Sequence, residues 1–123
     1  MGLIGATWGM AQLASSGSKP ALLTSAVSDS DWVKGNRSAP VVLVEYSDFQ
    51  CPACAASAPL VKQLTEEFGN KIAFVYRHFP LPQHKNAYPA AQAAEAAGKQ
   101  GKFWEMADLI FANQTKWENL GST

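Results

Sequence analysis

Apolar positions along the chain switch between two spacings, and the switches predict alternating strands and helices. Residues 41–44 form an unbroken apolar, β-branched run, which is typical of a strand buried on both faces. Residues 52–68 repeat apolar side chains at helical spacing instead. The stripe of this helix consists of Ser57, Val61, Leu64 and Phe68, widened by Leu60. Residues 71–79 alternate and predict a second strand, so the three segments indicate a right-handed parallel βαβ unit.

Shorter elements are predicted on either side of this unit. The folded part begins near residues 31–33, which predict a short edge strand. Prolines stop the second long strand, and an alanine-rich helix over residues 87–97 and a third helix over 102–112 follow. The apolar stripe of the third helix comprises Phe103, Met106, Ala107 and Ile110. Residues 117–120 indicate one more helical turn.

Length and charge limit the number of domains and the kinds of binding partner. A chain of 123 residues with 47% hydrophobic content suits one globular domain rather than two. Its formal net charge of zero gives no electrostatic reason to bind nucleic acid or an anionic membrane surface. We therefore expect no nucleic-acid partner.

The first thirty residues differ from the rest. Residues 3–14 are apolar but rich in glycine and too short to span a bilayer, and no lysine or arginine precedes them. A serine-rich stretch over 15–30 is typical of a linker. Two interpretations remain open for residues 1–30: the end of an export signal or membrane anchor followed by a tether, or a loosely packed N-terminus. The folded domain is expected over 31–123.

The only two cysteines lie where the buried strand is predicted to enter the first turn of the helix. Pro52 is favoured at the first helical position, which makes Cys51 the N-cap residue. The sulfur of Cys51 then faces free backbone N–H groups at the positive end of the helix dipole, and both favour the thiolate. Cys54, one turn further along, is less exposed and placed to resolve a mixed disulfide. The sequence therefore predicts a redox-active dithiol.

Three segments together resemble a known family. They are residues 41–54 with the Cys51-Pro52-Ala53-Cys54 motif, residues 76–81 (Tyr-Arg-His-Phe-Pro-Leu) and residues 90–106, an alanine-rich run that ends in Gly-Lys-Phe-Trp-Glu-Met. Over about residues 32–114 the chain resembles the DsbA-like branch of the thioredoxin superfamily. The resemblance implies an α/β fold of thioredoxin type with a helical insert.

The same resemblance implies thiol–disulfide exchange with protein thiol and disulfide substrates outside the cytoplasm, in the periplasm or cell envelope. It implies a redox partner protein, membrane-bound or soluble, and no cofactor. A membrane tether at the N-terminus is compatible with the first interpretation of residues 1–30.

Site residues follow from the resemblance by position. Cys51 corresponds to the nucleophile and Cys54 to the resolving thiol. Glu45, six residues before Cys51, matches the buried acidic residue beneath the dithiol. A carboxyl group on a buried strand would be desolvated, so it could relay the proton of Cys54. The alternative is an edge-facing Glu45 with no role.

Three further residues support the dithiol. Pro52 and Ala53 lie between the cysteines and set the redox potential. Strong oxidants of the family often carry histidine at the second of these positions, so Ala53 predicts a less oxidising pair. Pro59 lies inside the helix and is expected to kink it by removing one hydrogen bond.

The two histidines have more ordinary interpretations. His78 is expected to be a hydrogen-bonded structural residue, and His84 a capping or solvated group. Together with the cysteines they could form a zinc site, but the gap between Cys54 and His78 does not match the short spacing of zinc fingers. We therefore expect no metal.

The end of the chain departs from the family pattern. Nothing after residue 112 has the composition of two further strands and a helix, so the fold is expected to lack the C-terminal ββα half and its substrate-facing cis-proline. The sequence thus predicts a fragment of a longer protein, or a partial domain completed by a partner. A non-catalytic binding module remains the alternative to an oxidoreductase.

Overall fold

The computed structural model describes residues 26–121, and these form a three-stranded sheet with helices packed against it. The strands are β1 (Trp32–Gly35), β2 (Val41–Ser47) and β3 (Ile72–His78). The helices are α1 (Pro52–Phe68), α2 (Ala87–Gly98), α3 (Phe103–Ala112) and α4 (Gln114–Trp117). Of the N-terminal segment over residues 1–30, interpreted as the end of an export signal or anchor with a tether, residues 1–25 lie outside the described residues.

The sheet confirms the βαβ unit. β2 and β3 pair in parallel with α1 between them, and β1 pairs antiparallel with the other side of β3, which gives the order β1-β3-β2. Paired residues on neighbouring strands point to the same face of a sheet. Tyr76 pairs with Trp32 on one side and with Glu45 on the other, so these three side chains share one face of the sheet.

The central strand is β3, and this corrects the prediction that residues 41–44 are buried on both faces. Residues 72–76 of β3 are all buried, whereas Val41, Val42 and Leu43 are exposed by 56%, 38% and 42%. The reason is topological: β3 has a strand on each side, while β2 has a partner on one side only within the described residues. The apolar content of the two strands does not distinguish these positions.

The core lies where β3 meets α2 and α3. Aromatic and alanine side chains fill it: Phe49, Phe74, Tyr76, Ala90, Ala91, Ala94, Phe103 and Ala107. Gly98 permits the closest approach, because a Cβ atom there would overlap the Trp32 ring, which stacks on Phe103 with centroids 4.4 Å apart. The small residues of α2 therefore let that helix lie close to the aromatic layer.

Helix α1 packs more loosely than its stripe predicts. Val61 contacts the core, but Leu60 and Phe68 are 65% and 42% exposed, and the buried residue on this helix is Thr65. The predicted stripe is therefore wrong at Leu60 and Phe68. The stripe of α3 is confirmed, with Phe103 and Ala107 buried and Met106 and Ile110 packed against the core.

Candidate active site

The two cysteines are free thiols at the N-terminus of α1. Cys51 is the N-cap residue, with φ −70° and ψ 122°, and Pro52 is the first helical residue as predicted. Both cysteines are partly buried, and Ala53 between them is exposed. This geometry leaves Cys51 at the positive end of the helix dipole.

One predicted contact is not formed. The side chain of Cys51 makes no capping hydrogen bond to the backbone N–H groups of the first turn. Its sulfur lies instead against the thiol of Cys54, one turn along the helix. The thiol–thiol contact takes the place of the cap, so the dipole acts on Cys51 without a direct N–H donor.

Cys54 is the harder thiol to ionise. Burial raises its pKa above the usual 9.0, and the neighbouring Cys51 raises it further. The backbone N–H of Asp48 and the hydroxyl of Ser47 act in the opposite direction. The thiolate is the attacking form, so a thiol that resists ionisation is poorly suited to the first attack. This favours Cys51 as the attacking sulfur and Cys54 as the resolving thiol.

Asp48 organises the loop in front of the cysteines. Its buried carboxylate accepts hydrogen bonds from the backbone N–H groups of Gln50 and Leu81, at 2.7 and 2.8 Å. The same group lies 2.7 Å from Nδ1 of His84. The loop before α1 is therefore joined to the segment after β3, and His84 is part of that junction rather than a solvated group.

The C-terminal helices hold the same loop from the other side. The buried amide of Gln114 donates to the carbonyl oxygens of Phe49 and Cys51, at 2.7 and 3.0 Å. The Gln50 amide donates to Glu118 O at 2.9 Å and accepts from the Asn86 N–H at 2.7 Å. The backbone of Cys51 is thus fixed by side chains that come from the helical part of the chain.

Glu45 lies on the face of the sheet that α3 covers. Its partly buried side chain lines a cavity between α1 and α3, together with Val61, Phe74 and Tyr76. It acts electrostatically on the Tyr76 hydroxyl, whose pKa is raised chiefly by burial. The groups that act most strongly on Cys54 are Asp48, Ser47 and Cys51, so a role for Glu45 at the dithiol stays a prediction.

The histidines do not join the cysteines. His78 Nε2 lies 2.9 Å from a carboxylate oxygen of Glu95, which also accepts a hydrogen bond from the Trp32 indole at 2.6 Å. Among residues 26–121 no group of three or more His, Cys, Asp and Glu side chains is arranged to hold a metal ion. In the same range no helix has the length and apolar character needed to cross a membrane.

Several residues of the site have no signal in the sequence pattern. Ser47 and Gln114 are buried beside the dithiol, yet both are polar residues that the apolar spacing of their strand or helix does not predict to be buried. Asp48 has a weak signal, because aspartate commonly accepts a hydrogen bond from the backbone two residues on. Pro59 is exposed and lies inside α1, which continues through it.

Comparisons with known proteins agree with this geometry. A sequence model of the family described as Thioredoxin matches residues 28–123. The structure is similar to a DsbA2 from Pseudomonas aeruginosa, with a TM-score of 0.63 and 29% identity over 71% of this chain and 50% of that chain. It is also similar to alpha-DsbA1 from Wolbachia pipientis, with a TM-score of 0.65 and 23% identity over 74% and 46% of the two chains.

Relatives identified by sequence are named as antiporters rather than as DsbA proteins. The chain is 54% identical over 87 residues to a Na(+)/H(+) antiporter NhaA 1 of Salinispora arenicola, and 46% identical over 95 residues to one of Mycolicibacterium vanbaalenii. These matches cover 70% and 75% of this chain but 13% and 15% of the relatives, so the chain spans about an eighth of their length. Because the thioredoxin family model matches residues 28–123, the chain belongs to the thioredoxin superfamily, and its fold is that of DsbA-like proteins.

Proposed function

We propose that the chain exchanges disulfides with exported protein substrates through the Cys51–Cys54 dithiol. The observation that carries the proposal is the proximity of two free thiols at the N-terminus of α1, where burial of Cys54 raises the pKa of that thiol. In the oxidising direction, a substrate thiolate attacks the Cys51–Cys54 disulfide and forms a mixed disulfide with Cys51. A second substrate thiolate then releases Cys51, so the substrate is oxidised and the dithiol reduced.

In the reducing direction the roles reverse. The thiolate of Cys51 attacks a substrate disulfide, and one substrate sulfur leaves as a thiolate. The thiol of Cys54 then attacks the mixed disulfide and loses its proton, which forms the Cys51–Cys54 bond and releases the second substrate sulfur. A redox partner protein has to restore the starting state in either direction.

We place this reaction outside the cytoplasm, in the periplasm or cell envelope, where disulfides persist. The tether over residues 1–30 and the domain boundary at 31 belong to the same proposal. The resemblance offers the Glu45 carboxylate as an acceptor for the Cys54 proton, and a Glu45→Gln variant tests it. Pro52, Ala53 and Pro59 are proposed as residues that set the reactivity of the pair.

Exchange is tested with insulin reduction and with the refolding of a scrambled disulfide substrate. The chain should catalyse both, Cys51→Ser should abolish catalysis, and Cys54→Ser should accumulate a mixed disulfide with substrate. Ser57→Ala is the matched control on α1, since its hydroxyl bonds only the carbonyl of Cys54. Absence of catalysis in the chain and in any longer form that contains it would favour a non-catalytic binding module.

The antiporter relatives favour a second candidate function. Identity of 54% to a small part of a Na(+)/H(+) antiporter supports a domain that is carried by an antiporter and changes its transport with the redox state of the dithiol. The test uses vesicles that contain an antiporter carrying this domain. Sodium-driven proton movement is measured with the dithiol oxidised and with the dithiol reduced. A rate that differs between the two states, and that stops differing in Cys51→Ser, supports regulation, whereas equal rates contradict it.

A further inference from the structure

Three buried polar groups occur together beneath the dithiol. Within the described residues, the Ser47 hydroxyl, the Tyr76 hydroxyl and Nδ1 of His78 are buried with no hydrogen-bond partner. Leaving such a group buried and unpaired is unfavourable, because it loses its hydrogen bonds to water. A cluster of them is therefore unusual and calls for an explanation in terms of function.

The three groups converge because of the strand register. Ser47 pairs with His78 on the parallel strands β2 and β3, and Tyr76 lies two residues before His78, so all three side chains share one face. The rings of Tyr76 and His78 are 5.3 Å apart. The Ser47 hydroxyl is close enough to act on both Tyr76 and Cys54. Ser47 therefore neighbours both the resolving thiol and Tyr76, and the Tyr76 ring packs beside the imidazole of His78.

The partner of His78 determines which ring nitrogen can accept a proton. A carboxylate only accepts hydrogen bonds, so the Nε2 atom that lies 2.9 Å from Glu95 carries the hydrogen in the neutral ring. Nδ1 is then the unprotonated nitrogen, and it is buried without a hydrogen-bond partner among the described residues. Glu95 is held by the Trp32 indole at 2.6 Å, and its side chain is 45% exposed, so it connects His78 to solvent.

We propose that His78 is the base that takes the proton of Cys54 during the resolving step, with Glu95 as the positioning residue for the imidazole. The Ser47 and Tyr76 hydroxyls, unpaired within residues 26–121 of the resting chain, carry the proton by turning to hydrogen-bond during that step. This inference rests on the proposed exchange reaction. As the Cys54 sulfur bonds to Cys51, the bond between Cys51 and the substrate sulfur breaks. The substrate leaves as a thiolate, and the Cys54 proton passes to Nδ1 and then to solvent.

Other ionisable groups surround this path and belong in any pH profile. They are Tyr88 and Glu95 of α2, Lys99 just after that helix, Tyr76 of β3, Glu45 of β2, Asp48 and Cys51 in the loop before α1, and Cys54 in its first turn. Glu45 is the competing proton acceptor. A Glu45→Gln variant measured alongside therefore separates the two bases.

The resolving step is measured by mixing the reduced chain with glutathione disulfide and quenching the reaction with acid. The mass of the intact protein is then determined by mass spectrometry. The mixed disulfide and the internal disulfide differ in mass, so formation and resolution give separate rates. Tyr76→Phe removes only the buried hydroxyl. Tyr46→Phe is the matched control, because its hydroxyl contacts Arg77 near the surface on the other face.

We expect Tyr76→Phe and His78→Gln to slow resolution on the order of tenfold or more near about pH 6, where thiolate is scarce. Near about pH 10 they should match the unchanged chain, because solvent then removes the proton. Mixed-disulfide formation at Cys51 should be unchanged, as should both rates in Tyr46→Phe.

Two results would overturn the inference. Resolution in both variants equal to that of the unchanged chain at low pH removes the path, and a slowdown equal at all pH values assigns the residues a structural role. A loss confined to Glu45→Gln transfers the role to that carboxylate. Failure of the unchanged chain to form any mixed disulfide instead overturns the proposed exchange reaction itself.

Discussion

Ala53 is the exposed residue between the cysteines, and it offers the pair no charge. A histidine there would carry a positive charge beside the Cys51 thiolate and stabilise the reduced form. We expect Ala53→His to make the pair more oxidising by about 30 mV, which corresponds to about 1.4 kcal/mol. Equilibration against glutathione buffers measures the change.

Ala56→His is the control for this substitution, since Ala56 is also exposed on α1 but lies beyond both cysteines. The potential of that variant should stay near that of the unchanged chain. Equal potentials for Ala53→His and the unchanged chain would contradict the assignment of Ala53 as a residue that tunes the dithiol.

Gln114 is a single side chain that satisfies two carbonyl groups of the cysteine loop. Gln114→Ala leaves both without their buried donor, so we expect the free energy of unfolding to fall by about 1 to 3 kcal/mol. Urea denaturation measures this. Gln92→Ala, at an exposed position on α2, should change it by less than about 0.5 kcal/mol.

The prolines of α1 and α2 occupy helical positions with different consequences. Pro59 lies in the interior of α1 and deletes a hydrogen bond, whereas Pro89 lies in the first turn of α2, where no partner is lost. Pro59→Ala should therefore raise the free energy of unfolding by about 1 to 3 kcal/mol. Pro89→Ala should leave it almost unchanged, and both are compared by denaturant unfolding.

A faster or slower exchange rate in Pro59→Ala would connect the helix to the reactivity of the dithiol. An unchanged rate together with higher stability would limit Pro59 to a structural effect on α1. Either result decides whether this proline belongs among the supporting residues of the site.

An ion pair attaches the segment before β1 to the central strand. Arg77 of β3 contacts the Asp31 carboxylate at 2.8 Å, and this contact lowers the Asp31 pKa from 3.8 to about 2. Because the folded pKa is depressed, the stabilisation is present above the unfolded value and is lost as the pH falls from about 4 to about 2. Part of the pair meets solvent, which screens it.

We therefore expect Asp31→Asn to lower the free energy of unfolding by about 1 kcal/mol at neutral pH. The two proteins should converge below about pH 2, where the carboxyl group of the unchanged chain becomes protonated. Asp29→Asn, at an exposed neighbouring position, serves as the control. A difference that persists at low pH would mean that packing rather than charge is lost.

At the scale of the molecule, the sequence predicted the elements well because their apolar periods are clear. Helix α1 begins at Pro52 and ends at Phe68 as expected, and β3 and α3 match their predicted ranges to within one residue at each end. The placement of the dithiol followed from the same local rules. Proline at the first turn and a preceding strand are enough to locate Cys51 at the N-cap.

What the sequence could not predict depends on contacts between distant segments. The start of β2 is exposed because β3, not β2, is the central strand of the sheet. The apolar content of the two strands does not specify which one is central. Polar residues buried by tertiary packing, such as Ser47 and Gln114, break no local pattern. Their roles become visible only when β3 and the helices surround the cysteine loop.

The long-range bonds of Gln114 and Gln50 have a consequence for the order of folding. They join the cysteine loop to residues 63 to 68 positions later in the chain. Contacts at such separation form late, because a large loop must close before they contribute. During synthesis the dithiol is therefore without its final support until α4 has been made, and an incomplete chain carries both cysteines in a backbone not yet arranged for selective exchange.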